Sequence, residues 1–143
     1  MYENKYVVFV CTGNTCRSPM AAVLAQSIFA AEGIAATVYS AGVSTWSGQP
    51  ASRHAITAMK EEGLDLSGHS SQMISQELLG GAALVLAMTE QHLAIVKSDH
   101  PTANAFALNV SDPFGGDLQI YRRTAQEIKQ KIITHLDKIK EAL

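Results

Sequence analysis

Residues 5–19 constrain this chain more than any other stretch. Lys5-Tyr-Val-Val-Phe-Val10 is a short β-branched and aromatic run, the composition of a strand buried on both faces. Cys11-Thr-Gly-Asn-Thr-Cys-Arg-Ser18 follows at once, then Pro19 and an alanine-rich segment reaching about Glu32. Ser18 suits an N-cap and Pro19 the first helical position. The order therefore reads strand, small-residue loop, capped helix, which is the opening of an α/β fold.

The unit recurs along the chain. Thr37–Ser40 reads as a second strand, and Pro50–Glu62 as a helix closed by Gly63. Leu84–Met88 reads as a third strand, between a short helical stretch near Ser75–Leu79 and a helix around Glu90–Ser98. Asn104–Leu108 is a weaker fourth. Ala125, Ile128, Ile132, Leu136, Ile139 and Leu143 then form one apolar stripe, predicting a single long terminal helix. Alternating strands and helices imply right-handed crossovers and a four-stranded parallel sheet covered on both faces. No repeat or linker divides residues 1–143, so one domain is expected. Ligand sites of such sheets lie at the carboxyl ends of strands, where Cys11 stands.

Composition excludes several classes. With 143 residues, 47% apolar, the chain can bury roughly two thirds of its unfolded surface, so disulfide staples are unnecessary. A net charge of −2 carries no basic excess, so neither nucleic acid nor an anionic membrane is expected as partner. Six basic residues of the terminal segment (Arg122, Arg123, Lys129, Lys131, Lys138, Lys140) are interleaved with Glu127, Asp137 and Glu141 and read as a solvated face. Apolar runs such as Ala82–Met88 are too short to span a bilayer. The start, Met1-Tyr2-Glu3-Asn4-Lys5, lacks the layout of a signal peptide. The expectation is a soluble, cytoplasmic monomer. Two cysteines and five scattered histidines offer no clustered ligand spacing, so neither metal nor cofactor is expected.

The loop carries the chemistry. Small residues between a strand end and a helix start let successive N–H groups turn inward as an anion nest, with the helix N-terminus behind them. Arg17 adds a planar fork suited to two phosphate oxygens. In such a field the Cys11 side chain is favoured as thiolate. Cysteine, five residues and arginine thus make a loop that can hold a phosphoryl dianion and attack it from below. Neither glycine pattern of nucleotide-binding loops is present.

Val10-Cys11-Thr12-Gly13-Asn14-Thr15-Cys16-Arg17-Ser18-Pro19 resembles the signature of the low-molecular-weight protein-tyrosine-phosphatase family. The likeness extends to Ser40-Ala41-Gly42, to Leu84-Val85-Leu86-Ala87-Met88-Thr89 and to Asp112-Pro113. It implies that family's flavodoxin-like fold and hydrolysis of phosphorylated protein side chains through a phosphocysteine on Cys11. Arg17 and the amides of Thr12 to Ser18 would hold the phosphoryl oxygens, or free phosphate and other oxyanions. Ser18 would steady the thiolate, and Asp112 would act first as general acid and then as base. Asn14, Ser40 and His69 would brace the loop. Cys16 is open to two readings, a small buried hydrophobe or a partner that joins Cys11 under peroxide and protects it from over-oxidation.

The same resemblance leaves phosphotyrosine and phosphoarginine as substrates, and two positions lean toward the bacterial protein-arginine-phosphatase branch. Thr15 stands where tyrosine-directed members usually carry a branched apolar residue, and its hydroxyl could orient water or accept from a guanidinium. After Asp112-Pro113 come Phe114-Gly115-Gly116, in place of two adjacent aromatics that would clamp a phenyl ring. Against this, Trp46 matches a pocket-wall aromatic of tyrosine-directed members. Arsenate reductases share the loop but need further distal cysteines, and a non-catalytic phosphoprotein-binding module would lack Cys11 or Asp112.

Overall fold

The computed structural model describes residues 5–143; residues 1–4, on which the reading of the amino terminus rests, lie outside the described residues. Four strands, β1 (Tyr6–Cys11), β2 (Thr37–Gly42), β3 (Leu84–Ala87) and β4 (Ala105–Ala107), form one sheet in the order β2-β1-β3-β4. Every pairing is parallel, with Cys11 opposite Gly42 and Val10 opposite Ala87. All six residues of β1 are buried, as its apolar run requires at the centre of a sheet.

Side-chain alternation along β1 separates two cores. Val7, Phe9 and Cys11 face α1 (Arg17–Ala31), α2 (Arg53–Glu61), α5 (Leu118–Thr134) and α6 (Leu136–Ala142), meeting Met20, Met59, Ile128 and Ile139. Tyr6, Val8 and Val10 face α3 (Gln76–Gly81) and α4 (Glu90–Asp99), meeting Leu78, Leu79 and Val96. The expected four-stranded parallel sheet with helices on both faces is the architecture found. Among the described residues, no helix is long and apolar enough to cross a membrane.

Most strand and helix ends shift by one or two residues, and three departures from the sequence reading have a clear physical cause. Ser18 does not cap the first helix; α1 begins at Arg17, and Cys16, the N-cap residue, gives it no side-chain cap. The Ser18 hydroxyl is instead engaged by Cys11 and Asn14. The first-turn amides thus lack the usual intramolecular acceptor, which leaves them for an anion. The second helix starts at Arg53, after Pro50, because Ser52 is its cap and accepts from the Ala55 N–H at 3.3 Å. The terminal helix is two, divided at His135, whose ring packs on Phe106 at 5.0 Å between centroids. Ile132 and Ile139 stay buried on either side, so the apolar stripe continues across the break.

Candidate active site

Gly42 lets the loop close over the sheet. A Cβ there would stand 2.6 Å from the Thr12 carbonyl oxygen and 3.1 Å from the Asn14 nitrogen. Instead, the Val43 and Ser44 N–H groups donate to the Cys11 and Thr12 carbonyls at 2.9 and 3.0 Å. The chain reverses at Asn14, which takes φ 57°, a left-handed conformation that asparagine tolerates better than most residues.

Asn14 is wholly buried and fully bonded. Its amide donates to Ser18 Oγ at 2.8 Å and Ser40 Oγ at 2.9 Å, while its Oδ1 accepts from the Gln72 N–H at 2.9 Å. His69 Nε2 donates to the Asn14 carbonyl at 2.6 Å. Burial holds His69 below the ordinary histidine value, against the smaller opposite pull of that bond. Because Ser18 Oγ accepts from Asn14, its own proton is available for Cys11 Sγ, 2.9 Å away. The chain Gln72, Asn14, Ser18, Cys11 therefore points its donors one way, toward a sulfur that can carry charge.

Among the described residues, Arg17 is the one buried cation of this region. Its side chain is 6% exposed; Nη1 donates to the Val110 carbonyl at 3.1 Å, and Nη2 lies 3.7 Å from Asp112 Oδ2. Asp112 is 58% exposed and its Oδ1 accepts from the Phe114 N–H at 2.9 Å. These groups enclose a cavity of about 310 Å³. Cys11, Thr12, Gly13 and Thr15 to Arg17 form its floor and near wall, with Asp112 and Phe114 opposite. Cys16 turns its sulfur toward α5, 3.3 Å from the Tyr121 hydroxyl and 3.7 Å from Ser52 Oγ. Both cysteines are free thiols. Burial, then the bond to Cys16, push Tyr121 above the ordinary phenol value.

Trp46 departs from the sequence reading. It is 76% exposed and is not among the residues lining the cavity. Its backbone is tied down where Ser71 Oγ donates to the Trp46 carbonyl at 2.7 Å. Phe114 does line the cavity, yet is 84% exposed. Gly115 after it has φ 79°, where an aromatic residue would be strained, so a second aromatic wall is disfavoured by the turn itself. Among the described residues, no three His, Cys, Asp or Glu side chains gather as a metal-binding cluster.

Sequence reasoning missed His92. It is buried on the first turn of α4, with Nε2 2.8 Å from Thr12 Oγ1 and Nδ1 2.9 Å from Thr89 Oγ1. The available signal was Thr89-Glu-Gln-His92, a helix start directly after a strand end.

The arrangement of an anion nest, a buried arginine, a cysteine below and a carboxyl above matches the family comparison. The model for "Low molecular weight phosphotyrosine protein phosphatase" matches residues 6–143. A protein-arginine-phosphatase of Bacillus subtilis (strain 168) is 42% identical over 135 residues, covering 87% of this chain and 89% of that protein. Arsenate reductase 1 of Staphylococcus epidermidis is 34% identical over 137 residues, covering 96% of this chain and 99% of that protein. A solved structure of a YwlE arginine phosphatase mutant with a phosphorylated active-site serine is similar with a TM-score of 0.87 at 38% identity, covering 96% of this chain and 99% of that one. The chain belongs to the low molecular weight phosphotyrosine protein phosphatase family.

Proposed function

We propose that this phosphatase hydrolyses phosphoarginine in proteins, with Cys11 as nucleophile and Asp112 as acid and base. Cys11 Sγ attacks phosphorus while Asp112 gives its proton to the departing guanidine nitrogen. That leaves a thiophosphate held by Arg17 and the loop amides. Asp112, now a carboxylate, takes a proton from water, which attacks phosphorus and releases inorganic phosphate and the Cys11 thiolate. The relative trapped with phosphate on its active-site serine supports a covalent intermediate of this kind.

The observation that carries the substrate assignment is the lining of the cavity. Two threonines, Thr12 and Thr15, occupy its near wall, and one carboxylate stands opposite, whereas among the described residues the only aromatic lining it is the solvent-exposed Phe114. Such a wall offers acceptors to a cationic guanidinium and little stacking area to a phenol. Phosphotyrosine is the second reading, favoured by Phe114 at the mouth. Arsenate reduction is disfavoured because Cys11 and Cys16 are the only cysteines in the sequence. We propose further that the enzyme is cytoplasmic and works as a monomer, without cofactor, nucleic acid or membrane partner.

The test is kcat/KM on matched phosphoarginine and phosphotyrosine peptides. The parent should favour phosphoarginine, and Thr15→Ile should shift the ratio toward phosphotyrosine by about tenfold to a hundredfold, the loss of one hydrogen bond to a charged group. A parent that favours phosphotyrosine outright overturns the substrate assignment and leaves the thiophosphate route standing.

A further inference from the structure

The imidazole of His92 is enclosed, and both ring nitrogens are committed to threonine hydroxyls. Thr89 Oγ1 also accepts the His92 backbone N–H at 3.3 Å, which fixes the ring over the start of α4. On the other side stands Thr12, the residue after Cys11 and part of the cavity wall. The ring's hydrogen bond to the cavity wall is thus made to the Thr12 hydroxyl.

The protonation pattern of the ring sets the direction of this contact. Of the two neutral tautomers, the Nε2–H form donates to Thr12, and the Nδ1–H form donates to Thr89 Oγ1 and accepts the Thr12 proton on Nε2. In the latter form Thr12 Oγ1 presents only lone pairs to the cavity. An imidazolium must donate to both threonines, and the Thr12 proton then turns toward the cavity. A guanidinium brings N–H donors and needs the Nδ1–H arrangement, whereas an aryl phosphate ester has no N–H to place there.

We propose that His92, as its Nδ1–H tautomer, is a positioning residue for substrate selection, making the Thr12 hydroxyl an acceptor for a guanidinium group. This rests on the phosphoarginine reading above. The charged groups facing His92 are Arg17 from α1 and Asp112 from the loop after β4; Thr12 and Thr89 carry no charge. Burial and then Arg17 hold the imidazole below the ordinary histidine value, with Asp112 opposing, so the neutral ring prevails at neutral pH.

The experiment compares kcat/KM on a phosphoarginine peptide with kcat/KM on p-nitrophenyl phosphate. In His92→Phe, which keeps the ring but loses both bonds, the ratio of the two should fall about tenfold. Thr12→Val should lower the ratio by a similar factor, and the double variant no further, because the two side chains act as one unit. His92→Gln, with an amide near the Nε2 position, should restore the ratio to within about threefold of the parent. The parent ratio should also fall on acidification from neutral pH, as the depressed His92 imidazole takes up its proton, and His92→Phe should lose that fall. Equal losses on both substrates, or additive effects of the two substitutions, overturn the proposal while leaving the phosphoarginine reading intact. A parent inactive on phosphoarginine overturns both.

Discussion

Residues 11–18 and residues 110–117 face each other across the cavity and are built in opposite ways. The first segment is knotted into the sheet: Asn14 bonds Ser18, Ser40, Gln72 and His69, and Arg17 is sealed against Val110. The second is a surface turn, with Asp112 and Phe114 in solvent, held by the Ser111 N–H to Glu127 Oε1 at 2.7 Å and the Gly116 N–H to the Pro113 carbonyl at 2.8 Å. Charge on a transferring phosphoryl group is met by dipoles that need no rearrangement, the arrangement that gives the largest electrostatic benefit. The leaving group of a protein substrate is bulky and enters from solvent. An exposed acid on an open turn admits it, where a buried one would exclude it. One wall is thus built to hold charge rigidly, and the other to admit a bulky group from solvent.

Chemical roles give the sharpest test of that division. Cys11→Ser should lower turnover by about ten-thousandfold or more, the scale seen when a nucleophile is removed from a working site. Phosphate affinity, read by calorimetric titration, should change by less than about threefold, because the nest is made of backbone. A large loss of phosphate binding would show that the loop depends on the thiolate for its shape. Asp112→Asn should cost roughly a hundredfold to ten-thousandfold on substrates with poor leaving groups, and far less on an activated aryl phosphate that needs little protonation. Equal losses across leaving groups would mean that Asp112 acts by holding Arg17, not by giving a proton. Arg17→Lys should follow, at about a hundredfold to a thousandfold, since a point charge cannot replace the two-pronged fork.

The same division shows in what the sequence discloses. Cys11 to Pro19 is legible because strand, loop and helix start are consecutive, so local chemistry and tertiary position coincide. Ser18 was misread as a cap because a hydroxyl at a helix start satisfies that rule locally, whereas Asn14 and Cys11 claim it in three dimensions. His92 was invisible for a related reason: its partner Thr12 lies 80 residues away. Trp46 matches a pocket position by sequence, but its loop is directed by Ser71, 25 residues on, and its side chain faces solvent. The break at His135 leaves the apolar stripe in phase, so periodicity alone carries no sign of it.

Stability should divide in the same way. Asn14→Ala removes donors and an acceptor from a buried network and leaves Ser40 and the Gln72 N–H without that partner, so unfolding should become easier by about 2–4 kcal/mol. Phe114→Ala, on the opposite wall, should change stability by less than about 0.5 kcal/mol, as exposed side chains usually do. Both are read by urea unfolding at constant m-value. Comparable losses from the two would show that the turn is as firmly built as the loop and would remove the basis for the contrast.

The smallest effect separates the walls by pH. Burial lowers the folded-state value of His69 from 6.5, so between the two values the unfolded chain binds the proton more readily. The contribution is therefore fully present above the unfolded value and is lost as pH falls through the depressed one. Stability should decline on acidification from pH 7 toward pH 5, with His92, bonded to Thr12 of the same loop, moving it in the same direction. His69→Gln retains an amide donor for the Asn14 carbonyl and removes the titration. In that variant the fall in Tm between those pH values should be smaller than in the parent, while the double variant with His92→Gln should flatten it further. An unchanged fall in His69→Gln would show that acid acts elsewhere, and that the loop, although tightly bonded, is not where protons first loosen the fold.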